Sequence, residues 1–486
     1  MGSGLGWGHI EQARARLSEE RGTIFQEAPL SVALCYPSPY AVAMSSLGFQ
    51  TIYREICRHP GAVAERAFLP DDVSRWPAGS APLFTYESLR PVAEHSLVAF
   101  SIAYELELTG LFEVLRLSGL PLLVHERDAR HPLVVAGGPL TFSNPSTLEP
   151  FVDVVLLGEA EETIHVLLDA VANAGSDKRA TLDALVGQPG IYVTNRGLPW
   201  PGVAKASTER LPAFSQIVTP NTELRSMFLI EAERGCSRVC AYCVMRGTTN
   251  GGMRPVPIER ILDKIPGDAT RVGLVGAAVT DHPQIEALLR HIVDSGRSLG
   301  ISSLRACRIT APIAALLAKG GYRTLTIAAD GSSQRLRDEV RRHTTEEHLI
   351  RAVENARGAG LTRVKLYEMI GLPSETDADI DELGRLATEL SRLLPLSLGI
   401  APFVAKRNTP LDGQPFEKTS ILEARLKRLR RAVKGRVEIR STSTRWAWVE
   451  YKLAQGSAEA GLATMEAWRA GGDFAAFKRA FERRED

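Results

Sequence analysis

The sequence predicts an α/β protein: a doubly wound N-terminal domain, then a partial (β/α)6 barrel, then a small helical tail. Two observations carry this expectation. Short, wholly apolar runs alternate with helix-like stretches from about residue 30 to 175, and a second such series begins near residue 226. Strands that are apolar at every position must be buried on both faces, as in a parallel sheet covered by helices. The length, 486 residues, also exceeds what one core usually organises and suits two domains with room for a small third part.

Residues 9–24 read as an amphipathic helix within an N-terminal extension, 1–29. The doubly wound domain, 30–185, has strands at SVALCY (31–36), LVAFSIAY (97–104), PLVVAGGP (132–139) and VDVVLLGE (152–159), with helical stretches at 108–119 and 160–175. Residues 186–225 are rich in Gly, Pro and polar residues, with one strand at GIYVTN (190–195). Trp200, Phe214 and Ile217 punctuate this segment, so it is expected as a linker that packs on its neighbours.

The barrel domain, 226–415, has strands at 227–233, 271–279, 298–306, 323–330, 363–371 and 396–404. Several intervening helices close on Gly, which suits a left-handed C-cap. Six repeats are too few for an eight-fold barrel and enough for an open one, whose chemistry belongs at the C-terminal strand ends. In the helical region 416–486, Leu422, Leu426, Leu429 and Val433 recur at helical spacing with Arg and Lys opposite. That pattern reads first as a solvated surface helix and second as a polyanion-binding patch. The remainder, from about 441, reads as helices containing Trp446, Trp448 and Trp468.

Lys plus Arg number 58 against 57 Asp plus Glu, so no chain-wide field draws in nucleic acid or an anionic membrane. Nucleic acid and membrane are therefore not expected as partners, although RNA held by a local patch stays open. No apolar run is long enough to span a bilayer, and the N-terminus lacks a secretory apolar core. Three of the six cysteines crowd into eight residues while Cys35, Cys57 and Cys307 are scattered. This is not a disulfide framework, and a reducing, cytoplasmic setting is the expectation.

The crowded cysteines lie in ERGCSRVCAYCVMRG, directly after the first strand of the second series, with spacing C-x-x-x-C-x-x-C at Cys236, Cys240 and Cys243. Three thiolates on one tight loop can bind three irons of a cubane cluster and leave the fourth open to a substrate or cofactor. A zinc site would want a fourth Cys or His at matching spacing, and none is near.

On this loop the sequence resembles the radical S-adenosylmethionine (SAM) superfamily, whose signature is the triad with an aromatic residue, here Tyr242, before the last Cys. The resemblance implies a single 4Fe-4S cluster whose open iron is chelated by the methionine moiety of SAM. It further implies reductive cleavage to a 5′-deoxyadenosyl radical that abstracts hydrogen from a substrate. A reduced electron donor such as a flavodoxin or ferredoxin is implied as partner. The substrate is not named by the sequence.

Other contacts carried over from the family lie at strand ends. Tyr242 would lie by the adenine. Gly276 and Ala277, in VGAAVTD, stand where relatives often have a Gly-rich turn for the methionine amino group. Ser303 and Arg305 would reach the ribose or the carboxylate. Asp330, Gly331 and Ser332 end the fourth strand, with Arg335 and Arg337 a turn later. Gly371 and Leu372, in IGLPSET, match a motif whose backbone lines adenine. Ser, Asp and Gly at helix starts also serve as caps and turn formers, and that reading stands beside each.

The first domain resembles the cobalamin-binding domain that precedes the radical domain in one subgroup, through VVAGGPLTFSNP (134–145) and VDVVLLGEAEE (152–162). Ser101, Gly137, Gly138 and Glu159 are the residues implied to face cobalamin. Histidine-ligating domains carry Asp-x-His-x-x-Gly after the first strand, whereas this chain has CYPSPYAVAMSSLG (35–48). Cobalamin bound without that ligand and a domain that has lost the cofactor both stay open.

Four functions follow. The first is a cobalamin-dependent radical methyltransferase acting on an unactivated carbon. The second is a cobalamin-independent radical enzyme performing rearrangement, cyclisation or cleavage. Methylthio transfer needs a second cluster, and the first domain has only Cys35 and Cys57. A redox-sensing, non-enzymatic protein is the fourth.

Overall fold

The computed structural model describes residues 5–76, 81–245 and 252–485; Arg246 and Gly247, at the end of the cysteine loop, lie outside them. The chain forms two compact units: Met1–Met227 together with Gly456–Asp486, and Phe228–Gln455. No helix among the described residues is long and apolar enough to cross a membrane.

The first unit is built on one six-stranded sheet. Its strands are β1 (Leu30–Pro39), β2 (Ala62–Leu69), β3 (Leu97–Ser101), β4 (Leu133–Gly137), β5 (Val154–Leu156) and β6 (Ile191–Val193), in the order β2-β1-β3-β4-β5-β6. The first five run parallel and β6 is antiparallel to β5. β1 is buried over its first eight residues, and helices Leu47–Arg58, Leu108–Leu117 and Thr163–Ala174 bring further apolar faces to the unit. The strand order reverses at β1, which makes the ends of β1 and β3 the switch point of a doubly wound sheet. The fold class is therefore the one expected.

Some details differ from the sequence expectation. The N-terminal helix spans Leu5–Ser18 rather than 9–24. AVAERAFL, read as no strand, is β2. The strand at 191–193, placed in the linker, completes the sheet, and the rest of that segment packs down within the same unit. Trp200 stacks on Tyr192 at 3.8 Å, Arg54 lies 3.9 Å over the Phe214 ring, and Ile217 is buried.

The N-terminal extension is tied to the sheet by a buried ion network. Arg66, on β2, is fully buried; its Nη2 donates to Glu20 Oε2 at 2.7 Å and its Nε to Glu87 Oε1 at 2.6 Å. The Tyr40 hydroxyl donates to Glu20 Oε1 at 2.7 Å, and the Tyr53 ring lies 5.1 Å from the guanidinium.

The second unit holds β7 (Phe228–Glu231), β8 (Glu233–Cys236), β9 (Gly252–Pro255), β10 (Arg271–Val275), β11 (Ser298–Ile301), β12 (Thr324–Ala328), β13 (Arg363–Ile370), β14 (Leu396–Pro402) and β15 (Glu438–Ser441). Seven of them form two all-parallel arcs, β11-β10-β7 and β12-β13-β14-β15, while β8 and β9 pair as an antiparallel ribbon. Helices join successive parallel strands, as in a barrel, and no closed ring forms among the described residues.

The tail departs from a purely helical reading in two ways. Helix Thr419–Val433 does bury Leu422, Leu426, Leu429 and Val433, but Lys434 and Gly435 then turn at positive φ and the chain enters β15. Arg428 on its basic face pairs with Asp377 and Asp381, and the buried Arg425 pairs with Glu375. The last helices, Ala458–Arg469 and Phe474–Glu485, belong to the first unit, where Trp468 lies 5.8 Å from Phe112.

Candidate functional site

Cys236 is the last residue of β8, and Cys240 and Cys243 follow on the turn beyond it. The turn is fixed from two sides: the Ala241 amide donates to the Val340 carbonyl at 2.9 Å, and the Leu411 amide donates to the Ala241 carbonyl at 3.3 Å. Ala241 also sits in an apolar cluster with Leu336, Val340, Leu372, Phe403 and Ala405, against which Tyr242 and Met369 pack. Cys240 is the most buried of the three, at 6% exposed.

Burial pushes the Cys236 and Cys243 thiols up, with partial relief from the amides of Arg238 and Met245. The Arg238 amide lies 3.4 Å from Cys236 Sγ. Among the described residues no three Cys, His, Asp or Glu side chains converge as ligands of one metal ion. A cubane makes a different demand, because each thiolate sits on its own iron and the three stand farther apart than ligands of one ion. Three cysteines on one turn are the donor set of a cubane with one open iron, whereas tetrahedral zinc takes four ligands.

Tyr242 turns its hydroxyl to Asp330, donating to Oδ2 at 2.7 Å, and Arg342 Nε lies 3.1 Å from the same oxygen. Burial and then the Asp330 charge push the phenol up, so it stays a neutral donor. Asp330 holds φ at 57° at the end of β12, the left-handed conformation that Asp tolerates better than most residues.

Two buried groups of opposite charge that act electrostatically on the Cys236 thiol have bonding capacity to spare. Glu233 is fully buried; Oε1 accepts from the Ala278 amide at 2.6 Å, while Oε2 has no hydrogen-bond partner among the described residues. Burial pushes this carboxyl up to about 7. Arg305 is 5% exposed, and neither its Nε nor its Nη2 has a hydrogen-bond partner among the described residues. Its nearest carboxylate, Asp281, is 3.6 Å away and already takes Arg238 Nε and Arg308 Nε at 3.0 Å each. Three guanidiniums thus share one carboxylate. Both Glu233 and Arg305 act electrostatically on the Cys236 thiol, Arg305 lowering and Glu233 raising it. An orphan acceptor and an orphan donor beside one cysteine match the ammonium and carboxylate of an amino-acid zwitterion.

Sequence reading identified Arg305 and missed Glu233, whose signal was only a second acidic residue in EAERGC. Gly276 belongs to the same corner, since a Cβ there would fall on Glu233 Oε1. Its carbonyl accepts from the hydroxyls of Ser302 at 3.0 Å and Ser303 at 3.1 Å. Ser303 also accepts from the Val279 amide at 3.0 Å, so it braces the turn that ends β10. Ala277 is exposed on that turn.

The structure does not bring Ser332 to this group. Its hydroxyl donates to Glu375, which also takes the Gly371 amide at 2.7 Å and Arg425 Nη1 at 3.0 Å. Arg337 is fully buried and donates to the carbonyls of Gly331 and Thr344, and Arg335 pairs with Asp379 at 2.6 Å. Gly331 donates its amide to Glu368 at 3.0 Å. Leu372, 2% exposed, is part of the apolar cluster behind the cysteine loop.

In the first unit, Ser101 pairs in register with Gly137 at the carboxyl ends of β3 and β4. Gly138 has φ 102°, and a Cβ there would lie 2.7 Å from the Ile102 carbonyl oxygen, so this turn needs glycine to close on β3. Glu159 is 7% exposed and accepts from the Ala206 amide at 2.8 Å. Residues 37–46, which follow the apolar run of β1, contain no histidine that would hold cobalamin.

Comparison with known proteins agrees with this geometry. Residues 48–194 match the family described as radical SAM proteins, N-terminal, and residues 230–387 match the radical SAM superfamily. An uncharacterized protein from Methanocaldococcus jannaschii is 23% identical over 414 residues, 83% of each chain. The 2-(S-pantetheinyl)-carbapenam-3-carboxylate methyltransferase of Streptantibioticus cattleyicolor is 30% identical over 156 residues, 28% of this chain and 21% of that protein. Among solved structures, the cobalamin-dependent S-adenosylmethionine radical enzyme OxsB with aqua-cobalamin bound shares the fold with a TM-score of 0.55 at 15% identity. That match covers 85% of this chain, which spans only 58% of the OxsB length. With radical SAM family descriptions matched in both units, the chain belongs to the radical SAM superfamily and is a radical SAM enzyme.

Proposed function

We propose that this enzyme is a cobalamin-dependent methyltransferase acting on an unactivated carbon. The observation that carries the proposal is the fold likeness across 85% of the chain, both units included, to a cobalamin-dependent radical SAM enzyme. The local similarity to a methyltransferase supports it. When bound, the cluster would supply the electron that splits one SAM into methionine and a 5′-deoxyadenosyl radical, and cobalamin, methylated by a second SAM, would supply the methyl group.

The chain's own residues do the holding. Arg305 Nη2 receives the carboxylate of SAM, and Glu233 Oε2 receives its ammonium. Tyr242, fixed by Asp330, keeps the third cysteine and the adenine side in place. Ala241, Leu372 and Phe403 exclude water behind the loop. A reduced one-electron donor protein completes the system.

Glu233 makes the SAM corner pH-dependent. With the carboxyl held near 7, it is neutral below that pH and becomes an anionic acceptor above it. SAM affinity should therefore rise between pH 6 and pH 8 in the anaerobically reconstituted enzyme, measured by equilibrium dialysis. In Glu233→Gln the rise should vanish and the Kd at pH 8 should increase about tenfold, the cost of one charge-assisted contact. An unchanged pH profile in that variant removes Glu233 from the SAM site.

The missing histidine, with Gly138 and Glu159 engaged inside the chain, favours the second reading, a radical enzyme without cobalamin. Mixing purified protein with hydroxocobalamin and filtering separates the two. Methyl transfer requires a retained corrinoid spectrum at near one equivalent and label from the methyl group of SAM in product. A colourless retentate eliminates the methyltransferase reading and leaves the radical enzyme standing.

A further inference from the structure

We propose that the face of the β12–β15 sheet that carries Lys365, Tyr367 and Met369 is the substrate site, and that it takes a small carboxylate whose flat, unsaturated portion lies on Tyr367. The proposal rests on the radical reading above and adds the substrate class to it.

Residues along β13 alternate in burial: Val364, Leu366, Glu368 and Ile370 are buried, whereas Arg363, Lys365, Tyr367 and Met369 are less so. Register sets Ala328 and Gly399 beside Tyr367, Ala401 beside Met369, and Arg440 beside Gly399. Small residues thus surround one large ring on the face away from the buried side chains. A Cβ at 399 would lie 2.8 Å from Tyr367 Cδ1, so only glycine lets the ring lie down across β14. Tyr367 is 43% exposed in the middle of a sheet, a costly place for an aromatic unless something covers it.

The space above it is a cavity of about 570 Å³, within the range of small-molecule sites. Its charge is specific. Arg440 is balanced by Glu438 at 2.7 Å, Asp330 by Arg342 and the Tyr242 hydroxyl, and burial pushes the Glu368 carboxyl, which also lines the cavity, well above its usual value and so toward the neutral form. Lys365 has no hydrogen bond or ion pair among the described residues; its Nζ lies 4.5 Å from the Tyr367 ring centroid. An ammonium without a counter-charge, poised over an aromatic face, selects an anion attached to something that stacks.

The cavity also adjoins the cysteine loop through two shared residues. Asp330 lines it and accepts from Tyr242; Met369 lines it and packs on the cluster that holds Ala241. Substrate held there lies beside the loop that carries Cys240 and Cys243, where hydrogen abstraction must occur.

The test uses the full reconstituted chain with SAM present and reads binding by saturation-transfer NMR, without turnover. The probes are cinnamate, benzoate and indole-3-carboxylate, with cinnamamide as the neutral counterpart. At least one carboxylate should bind in the millimolar range or tighter and cinnamamide at least tenfold more weakly. Lys365→Met should weaken the carboxylate tenfold or more, Tyr367→Leu severalfold, and the surface control Lys319→Met not at all. Iron content and circular dichroism certify that each variant is folded. The proposal is overturned if no carboxylate binds wild type, if the amide binds equally, or if folded Lys365→Met binds as wild type does. Failure of the radical reading is a separate result, SAM left uncleaved by the reduced wild-type enzyme.

Discussion

Cys240→Ala should leave a folded chain that has lost its cluster iron and cleaves SAM at least a thousandfold more slowly than wild type. A cubane held by three thiolates has no spare ligand, so removing one frees a second iron and the cluster is not retained. A thousandfold is about 4 kcal/mol at 1.4 kcal/mol per decade, a modest demand on a residue without which the reaction has no electron source. Cys236→Ala should behave alike. Cys35→Ala is the contrasting case: Cys35 is fully buried in β1, where its pKa is raised by burial, and its loss should leave iron content and SAM cleavage unchanged. Iron analysis and 5′-deoxyadenosine formation measure both. Full cleavage by Cys240→Ala would remove the cluster from this loop.

Arg66→Met should produce the largest loss of stability. Arg66 is fully buried between Glu20 and Glu87, and its removal strands two carboxylates with no counter-ion. Breaking a buried pair in this way costs about 3–5 kcal/mol. In a unit of this size each kcal/mol shifts the midpoint by about 2–4 °C, so thermal melts should move down by about 6–20 °C. Burial outweighs Arg66 and holds the Glu87 carboxyl above its ordinary value. A carboxyl raised by folding favours the fold while protonated, so its contribution is full below its ordinary pKa and is lost as pH rises through the raised value. Without Arg66 that bias grows, so the melting deficit of Arg66→Met should shrink as pH falls from 7 toward 5. A deficit that widens in acid, or a midpoint within about 2 °C of wild type, contradicts the assignment. Adding Glu20→Gln and Glu87→Gln should recover part of the loss, because buried charge rather than lost packing is the cause.

How much of this was legible depended on whether the deciding interaction was local. The short apolar runs at β1, β3 and β4, rich in Val and bounded by Pro, Gly and Ser, read as buried parallel strands from local sequence alone. AVAERAFL did not declare β2, since Ala, Glu and Arg favour helix locally and only pairing along β1 overrides that preference. β15 was hidden for a similar reason: EIRS is mostly polar and becomes a strand by completing an arc. At the site, the cysteine spacing was readable because three ligands lie within one turn. The strand-end polar residues were not resolvable from sequence. Ser332 and Arg335 are engaged by Glu375 and Asp379, which arrive from beyond the next strand. Glu233 Oε2 and the Lys365 ammonium stand out for the opposite reason, that among the described residues no hydrogen-bond partner reaches either.

The return of residues 456–486 to the first unit has a consequence for synthesis. The radical unit is inserted within the first unit, so the ribosome makes Phe112 and Phe151 long before it makes Trp468, which packs on Phe112. At about 5–20 residues per second, the inserted 228–455 alone occupies the ribosome for about 10–45 s. For that interval an aromatic face of the nascent first unit waits uncovered, which makes the emerging chain a client for chaperones before it can be an enzyme.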